Sequence, residues 1–371
     1  MLRVGKEPGG PDEARPRAGD ARDSPARARD PEAAVHWVGD EQPPPPRAGP
    51  RTARVLRGAW VVAFLGVGAA LTTARYVDTE TLVEQGLAAL LGVLLALGLA
   101  VRAGGPAIVA GILAAAVGAA AVATGWEPML AGAALGVGVL AACLAVLGTV
   151  PAGSFVAAVR EVLVAQVVAG VGAVGVGGFL VRVELDRFDY AVLGLSLVAA
   201  FALVYRLGGG LHGLGRRGLL LAVGAVAVLV VALAYTAALA RWGSPELSDL
   251  VRSAGDWSRD RLGAAPHPIE VLVGIPALAW GVSMRDRRRQ GWWVCAFGVT
   301  ATASATTRLV ADTAPALEVT LAAVYSIALG LVLGYVVIRV DRYLVATRGR
   351  RSRRAESLEH RPEPPRFWPL H

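Results

Sequence analysis

Residues 85–124 read QGLAALLGVLLALGLAVRAGGPAIVAGILAAAVGAAAVAT, a stretch in which Arg102 is the only charged residue. Two apolar runs, 85–101 and 106–124, flank the short connection 102–105. A helix needs about 20 apolar residues to cross a hydrocarbon layer about 30 Å thick, because each residue advances the helix by about 1.5 Å. We therefore predict two membrane-spanning helices joined by a tight turn.

Apolar runs of the same kind occupy most of the remaining chain. They are residues 57–74, 129–148, 162–181, 190–205, 218–240, 269–284, 291–307 and 319–340. Hydrophobic residues make up 54% of the 371 residues, a share that excludes a soluble globular protein of ordinary composition. The predicted fold class is an all-α integral membrane protein with about ten transmembrane helices.

Charge indicates which side of the membrane each connection faces. Arginines dominate every second connection, namely 102–105, 149–161, 206–217 and 285–290. The connections between these are rich in aspartate and glutamate. Because basic residues of short loops stay on the cytoplasmic side, the pattern predicts that both termini are cytoplasmic. Arginine supplies every lysine-type or arginine-type charge except Lys6, which together with abundant Ala, Gly, Val and Pro favours a high-GC, bacterial genome. We expect the protein to lie in the plasma membrane.

The composition divides the chain into three parts. Residues 1–54 form an Arg/Pro-rich segment that we predict to be a disordered cytoplasmic tail, because it has too little apolar surface to bury. A polytopic transmembrane helical domain covers 55–343, and a second disordered, basic cytoplasmic tail covers 344–371. We expect the basic cytoplasmic face to contact anionic lipid headgroups. The net charge of +8 follows the membrane side, so it predicts no nucleic-acid partner, and no pattern specifies a protein partner.

The longest connection between predicted spans is 241–268. Within it Leu247, Leu250, Trp257 and Leu262 recur at helical spacing, with charged residues between them. The pattern predicts one amphipathic helix on the outer face of the membrane. Such a helix either covers a cavity as a lid or only connects two spans, and the sequence leaves both interpretations open.

Candidate catalytic residues lie in two of the predicted outer connections. His267 and Glu270 follow the amphipathic segment and suit acid–base chemistry. Glu184, Asp186 and Asp189 form a second acidic group, which suits a divalent ion bound to a lipid pyrophosphate. The alternatives are a structural histidine and an acidic loop neutralised by its own two arginines.

Candidate substrate-binding residues lie in the last three predicted spans. Pro276 removes a backbone hydrogen bond from the run 269–284, and interrupted helices often mark transport sites. Thr300, Ser304 and Tyr325 are uncharged polar residues in otherwise apolar runs. The alternative is that these hydroxyl groups bond locally within their own helices.

Sequence motifs for cofactors and metals are missing from the chain. The two cysteines, Cys143 and Cys295, both lie inside apolar runs, which excludes a disulfide framework or a thiolate metal site. We find no zinc-binding HExxH pattern, serine nucleophile elbow or nucleotide-binding loop. We therefore predict no cofactor and no metal.

Glycine pairs four residues apart predict close helix packing. Gly132 with Gly136 and Gly330 with Gly334 give small-xxx-small faces in the fourth and tenth runs. Small residues at such spacing let two helix backbones approach each other in a membrane.

The architecture resembles that of the drug/metabolite transporters. Ten spans divide into two halves of five with inverted topology, and the hairpin Gly125-Trp126-Glu127-Pro128 is tight. The resemblance implies a transporter or flippase for a small solute or lipid, although the long 241–268 connection departs from that compact pattern. Two alternatives are an outer-leaflet transferase for a lipid-linked sugar or acyl group, and a non-catalytic membrane scaffold. The transferase requires the outer acidic residues and His267 to meet in one cleft.

Overall fold

A computed structural model describes residues 50–77, 79–181, 184–207, 245–287, 290–308, 316–346, 363–366 and 368–370. Within these residues the chain is helical and contains no strand. The α-helices are α1 (Pro50–Ala74), α2 (Thr81–Arg102), α3 (Ala107–Thr124), α4 (Glu127–Leu147), α5 (Phe155–Gly177), α6 (Leu185–Arg206), α7 (Pro245–Leu262), α8 (Ile275–Arg285), α9 (Gly291–Phe297), α10 (Val299–Thr307) and α11 (Ala316–Ala346). A π-helical turn, Glu270–Gly274, leads into α8.

Among the described residues, seven helices are long and apolar enough to cross a membrane. The candidate spans are Arg54–Ala74, Thr81–Arg102, Ala107–Thr124, Glu127–Leu147, Phe155–Gly177, Arg187–Arg206 and Leu317–Leu344. The predicted all-helical membrane class is confirmed at this level. The predicted run 218–240 lies outside the described residues.

The runs 269–284 and 291–307 form helices that are shorter than a full span. The first is divided into the π-helical turn and the 11-residue α8. The second tightens at Gly298, whose N–H donates to the Cys295 carbonyl at 2.8 Å, three residues back. Such i to i−3 bonds are typical of a 3₁₀ turn and separate α9 from α10. These two runs therefore do not add to the seven candidate spans.

Exposed apolar side chains cover the outside of the helix bundle. On α3, Ile108, Ile112 and Leu113 expose 76%, 62% and 61% of their surface. A soluble protein rarely leaves so large a contiguous apolar surface in water. This surface fits a hydrocarbon environment and agrees with the membrane class.

Helix α4 lies at the centre of the bundle and packs against α2, α3, α5, α6 and α10. Small residues allow the close approach of α5, where Gly172 lies directly against Ala141 of α4. The packing predicted for Gly330 and Gly334 is confirmed, since a Cβ at these positions would lie 2.7 Å from Ile275 and 3.0 Å from Ala279 of α8. Gly132 and Gly136 meet no described side chain, so the packing predicted there is not observed.

We expect Gly172→Ala to lower the thermal stability of the protein. The added methyl group would overlap Ala141, and overpacking costs about 1–3 kcal/mol, against a gain of roughly 1 kcal/mol in helix propensity. Thermal unfolding of the purified protein in detergent measures the change. Gly132→Ala is the matched control, because no described atom lies within 4 Å of the new Cβ. Equal losses of stability in the two variants would contradict this prediction.

The helix predicted within 241–268 is confirmed as α7. The C-terminal end of α7 contacts the first third of α11, where the Tyr325 hydroxyl donates to the Leu262 carbonyl at 2.9 Å. Arg259 of α7 lies 3.9 Å from the Glu318 carboxylate of α11. Trp257 is 60% exposed, so its ring is available to the surroundings of the protein.

Two polar clusters lie at the two ends of the stretch 270–285, which consists of the π-helical turn and α8. The cluster that we call the Glu270 end consists of Glu270, Ser304, Arg308 and Ser326. The cluster that we call the Arg285 end consists of Arg102, Thr149, Glu161, Arg285 and the segment 363–370. The described residues of 363–370, which belong to the tail 344–371 that we predict to be disordered, are hydrogen-bonded to the helices.

Candidate functional site

The Glu270 carboxylate is the centre of the candidate site. Glu270 has no exposed surface and is the first residue of the π-helical turn. The Ser304 hydroxyl donates to one carboxylate oxygen at 2.7 Å, and the Arg308 guanidinium donates to the other. The Arg308 side chain is itself only 10% exposed. The site therefore contains a buried ion pair with an attached hydroxyl group.

The π-helical turn positions Glu270 against α10. The Ile275 N–H donates to the Glu270 carbonyl, five residues back, and Pro276 at the start of α8 has no N–H to donate. Gly274 lies so close to the backbone of Ala301 that a side chain would not fit there. This close approach brings Ser304, one helical turn further along α10, within reach of the carboxylate. Single π-helical turns are frequent at functional sites.

Arg308 carries an unused hydrogen-bond donor. Its Nε atom is buried and has no partner among the described residues. A buried donor without a partner loses its hydration and gains nothing in return, at a cost of about 1–3 kcal/mol. An anionic or carbonyl group of a bound molecule would satisfy it.

His267 lies beside this ion pair, in the connection between α7 and the π-helical turn. Its backbone N–H donates to the buried Ser326 hydroxyl of α11 at 2.8 Å, which fixes the connection to α11. Burial lowers the pKa of the His267 imidazole, and Arg308 lowers it further, whereas Glu270 and Asp189 raise it. The net direction is downward, so the neutral imidazole is favoured at pH 7.

We expect the stability of the protein to depend on pH through His267. Because the folded-state pKa is lowered, the unfolded chain binds more protons below pH 6.5, and the free energy of unfolding rises with pH across that window. His267→Gln removes this component and should flatten the dependence. Thermal unfolding of both proteins on either side of pH 6.5 measures the effect. Identical pH dependence in the two proteins would rule out this contribution.

Glu184 and Asp189, two members of the predicted acidic group, lie in different environments. Glu184 pairs with Arg187 at 2.9 Å, and both side chains are exposed, at 69% and 85%. Asp189 lies near enough to His267 to raise the pKa of the imidazole. The side chain of Asp186 lies outside the described part of the structure. Asp189 is thus connected electrostatically to the Glu270 end through His267.

The candidate substrate-binding residues separate into two groups. Ser304 joins Glu270, and Pro276 begins α8 directly after the π-helical turn. The Thr300 hydroxyl instead donates to the Phe297 carbonyl at 2.9 Å, and Tyr325 donates to Leu262. These two hydroxyl groups therefore serve as structural donors within the bundle.

Sequence reasoning missed Arg308 and Ser326 as parts of the site. Arg308 follows an apolar run and is four residues after Ser304, so the two share a helix face. That spacing is the only signal that the sequence offers, since 38 residues separate Arg308 from Glu270.

The described residues contain no group of three or more His, Cys, Asp or Glu side chains placed to hold a metal ion. Comparison with protein-family models finds no match, and comparisons with curated proteins and with solved structures find none either. The resemblance to drug/metabolite transporters thus rests on architecture alone.

Proposed function

We propose that this chain is a transporter or flippase that binds a small charged solute or a lipid headgroup at the Glu270 end. The observation that carries the proposal is the Glu270–Arg308 ion pair on an interrupted helix, in which Glu270 has no exposed surface and Arg308 is 10% exposed. In this proposal the bundle has about ten spans, with the interrupted runs 269–284 and 291–307 counted as spans, and it lies in a bacterial plasma membrane. Both termini are cytoplasmic, and the Glu270 end faces outward.

The distribution of arginine supports this orientation. Arg57, Arg102, Arg285 and Arg366 all contact the cluster at the Arg285 end or the segment bound there. Basic residues are retained on the cytoplasmic side, so the opposite end of α8 faces outward. The cytoplasmic face then contacts anionic headgroups.

The energetics of the ion pair support a binding role. Burying two charges carries a desolvation cost, and replacing such a pair with apolar residues is often neutral or stabilising. Ionisable residues within membrane-spanning segments commonly mark substrate or ion pathways, and Glu270 is the second residue of the predicted run 269–284. The buried pair is therefore better explained by binding than by stability.

The chemistry of the pair restricts the substrate class. Glu270 offers a negative charge for an ammonium group, and the free Nε donor of Arg308 offers a contact for a phosphate or carboxylate. The hydroxyl groups further along α10 are occupied, since Thr306 and Thr307 donate to the carbonyls of Ala303 and Ser304. Zwitterionic and anionic molecules are the substrates that this site fits.

An outer-leaflet sugar or acyl transferase is a second candidate. The specific observation in its favour is the lowered pKa of His267, which leaves a neutral imidazole beside Glu270. A neutral imidazole accepts a proton, as a general base must. This candidate requires His267 for turnover but not for binding, whereas transport requires the Glu270–Arg308 pair.

Two assays test the proposal. The first follows the exchange of fluorescently labelled phosphatidylcholine between the leaflets of liposomes that contain the protein, and the second measures the change in unfolding temperature caused by phosphocholine or inorganic phosphate. We expect Glu270→Gln to abolish whichever of these responses the wild type shows. Glu184→Gln is the matched control, because that carboxylate is 69% exposed and its partner among the described residues is Arg187. Equal behaviour of the two variants, or no response of the wild type to any probe, would count against the proposal.

A further inference from the structure

The segment 363–370 lies against the Arg285 end and is bound there through its backbone. One nitrogen of the Arg102 guanidinium donates to the carbonyls of Pro365 and Trp368, each at 2.9 Å. The Leu370 N–H donates to the Arg102 carbonyl at 3.2 Å. Arg102, the last residue of α2, is only 2% exposed, so the segment is hydrogen-bonded to a buried side chain of the bundle.

Two ion pairs of opposite polarity fix the direction of the segment. Glu363 accepts hydrogen bonds from the Arg285 guanidinium at 3.2 and 2.5 Å, a bidentate arrangement. Arg366 donates to both carboxylate oxygens of Glu161, at 2.9 and 2.7 Å. The side chains of Arg285 and Glu161 have no exposed surface. A reversed segment would place like charges together.

The described helices by themselves give the Arg285 guanidinium no carboxylate partner. Arg102 and Arg285 both donate to the Thr149 carbonyl, at 3.2 and 3.1 Å, which brings two buried cations together. The Arg285 guanidinium also stacks 3.4 Å from the centre of the Trp292 ring. Glu363 supplies the anion that these cations require.

Apolar contacts complete the attachment while one side of the segment stays at the surface. Trp368 lies under the Arg57 guanidinium of α1, 4.5 Å from the ring centre, and Leu370 is 9% exposed. Pro365 and Pro369 are exposed. One side of the segment therefore lies at the surface of the bundle, while Glu363, Arg366 and Leu370 contact the helices.

We propose that the Arg285 end is a peptide-binding site and that residues 363–370 occupy it in cis as a releasable strap. The ligand is a short segment with a turn, in which the Trp368 N–H donates to the Pro365 carbonyl at 2.9 Å. It has an acidic residue for Arg285, a basic residue for Glu161 and an apolar residue after the turn. Because the strap joins α1, α2, α5 and α8, these helices cannot separate at this end while it is bound. The inference does not depend on the activity of the Glu270 end.

The test uses the full chain in lipid nanodiscs with a protease site placed at 355–358, before the strap. After cleavage we expect the released fragment to remain bound to the helices through gel filtration. Glu363→Ala combined with Arg366→Ala should speed its dissociation at least about a hundredfold, because both buried partners lose their counter-charges. Glu359→Ala combined with Arg361→Ala removes one acidic and one basic residue from the same fragment and serves as the matched control.

Three results would overturn the proposal. They are immediate loss of the wild-type fragment, equal retention of the Glu363/Arg366 variant, and co-purification of two differently tagged chains, which indicates exchange of straps between copies. If the double variant cannot be purified, a synthetic peptide of residues 359–371 replaces it. Excess wild-type peptide should displace the cleaved wild-type fragment, and the same peptide with both substitutions should not. Equal displacement by the two peptides would also overturn the proposal.

Discussion

Arg308→Met is expected to lower the free energy of unfolding by about 3–5 kcal/mol, because it leaves the Glu270 carboxylate buried without its counter-charge. Glu270 has no exposed surface, and after the substitution the Ser304 hydroxyl is the one side-chain partner left to its carboxylate among the described residues. Methionine keeps a long side chain in the same space, so the loss reports the charge rather than a cavity. Thermal unfolding in detergent at pH 7 measures the change.

A double variant separates the ion pair from the surrounding packing. Glu270→Leu together with Arg308→Met removes both charges, and we expect most of the lost stability to return, since apolar replacements of buried pairs are often neutral or stabilising. Arg187→Met is the matched control for the charge, because Arg187 and Glu184 form an exposed pair worth about 0–1 kcal/mol. Wild-type stability in Arg308→Met would show that the Glu270 carboxylate does not depend on its partner.

The helices could be predicted from the sequence because each one is a local pattern. The run 106–124 is apolar throughout and ends at Gly125, which adopts a positive φ of 58°, and the helix observed there is Ala107–Thr124. Length, composition and a glycine terminator are all visible in a single chain segment. The same reasoning located α7 from its alternating apolar and charged residues.

The interruptions of the runs 269–284 and 291–307 are harder to predict from the sequence. Pro276 indicated a break, but proline alone does not distinguish a kink from a π-helical turn. The turn depends on the close approach of Gly274 to Ala301, which lies on a different helix. A contact between distant parts of the chain leaves no signal in either segment.

The two polar clusters could be predicted only in part for the same reason. His267, Glu270 and Ser304 were identified as candidates because each is a polar residue in an unusual place. Their pairing with Arg308 and Ser326 follows from tertiary packing. The strap could not be predicted because its contacts join residues far apart in the chain, such as Arg102 and Trp368, 266 positions apart.

The second large effect is expected at the Arg285 end, from Glu161→Gln. Glu161 is fully buried and accepts hydrogen bonds from the Val150 N–H at 2.9 Å, from Arg160 and from Arg366. Glutamine presents an NH₂ group to some of these donors and removes the negative charge. The NH₂ group of the buried glutamine cannot accept a hydrogen bond from the N–H groups that face it. We therefore expect a loss of about 3 kcal/mol in the free energy of unfolding.

Thermal unfolding compares Glu161→Gln with Glu127→Gln, the same change at an exposed carboxylate in the first turn of α4. That control loses only a favourable interaction with the helix dipole, worth about 0.3–1 kcal/mol. Adding Arg366→Gln to Glu161→Gln should restore part of the stability, because it removes the unpaired charge of the strap. If the double variant is no more stable than Glu161→Gln, the carboxylate acts mainly through Val150 and Arg160. The strap then contributes little to this end of the bundle.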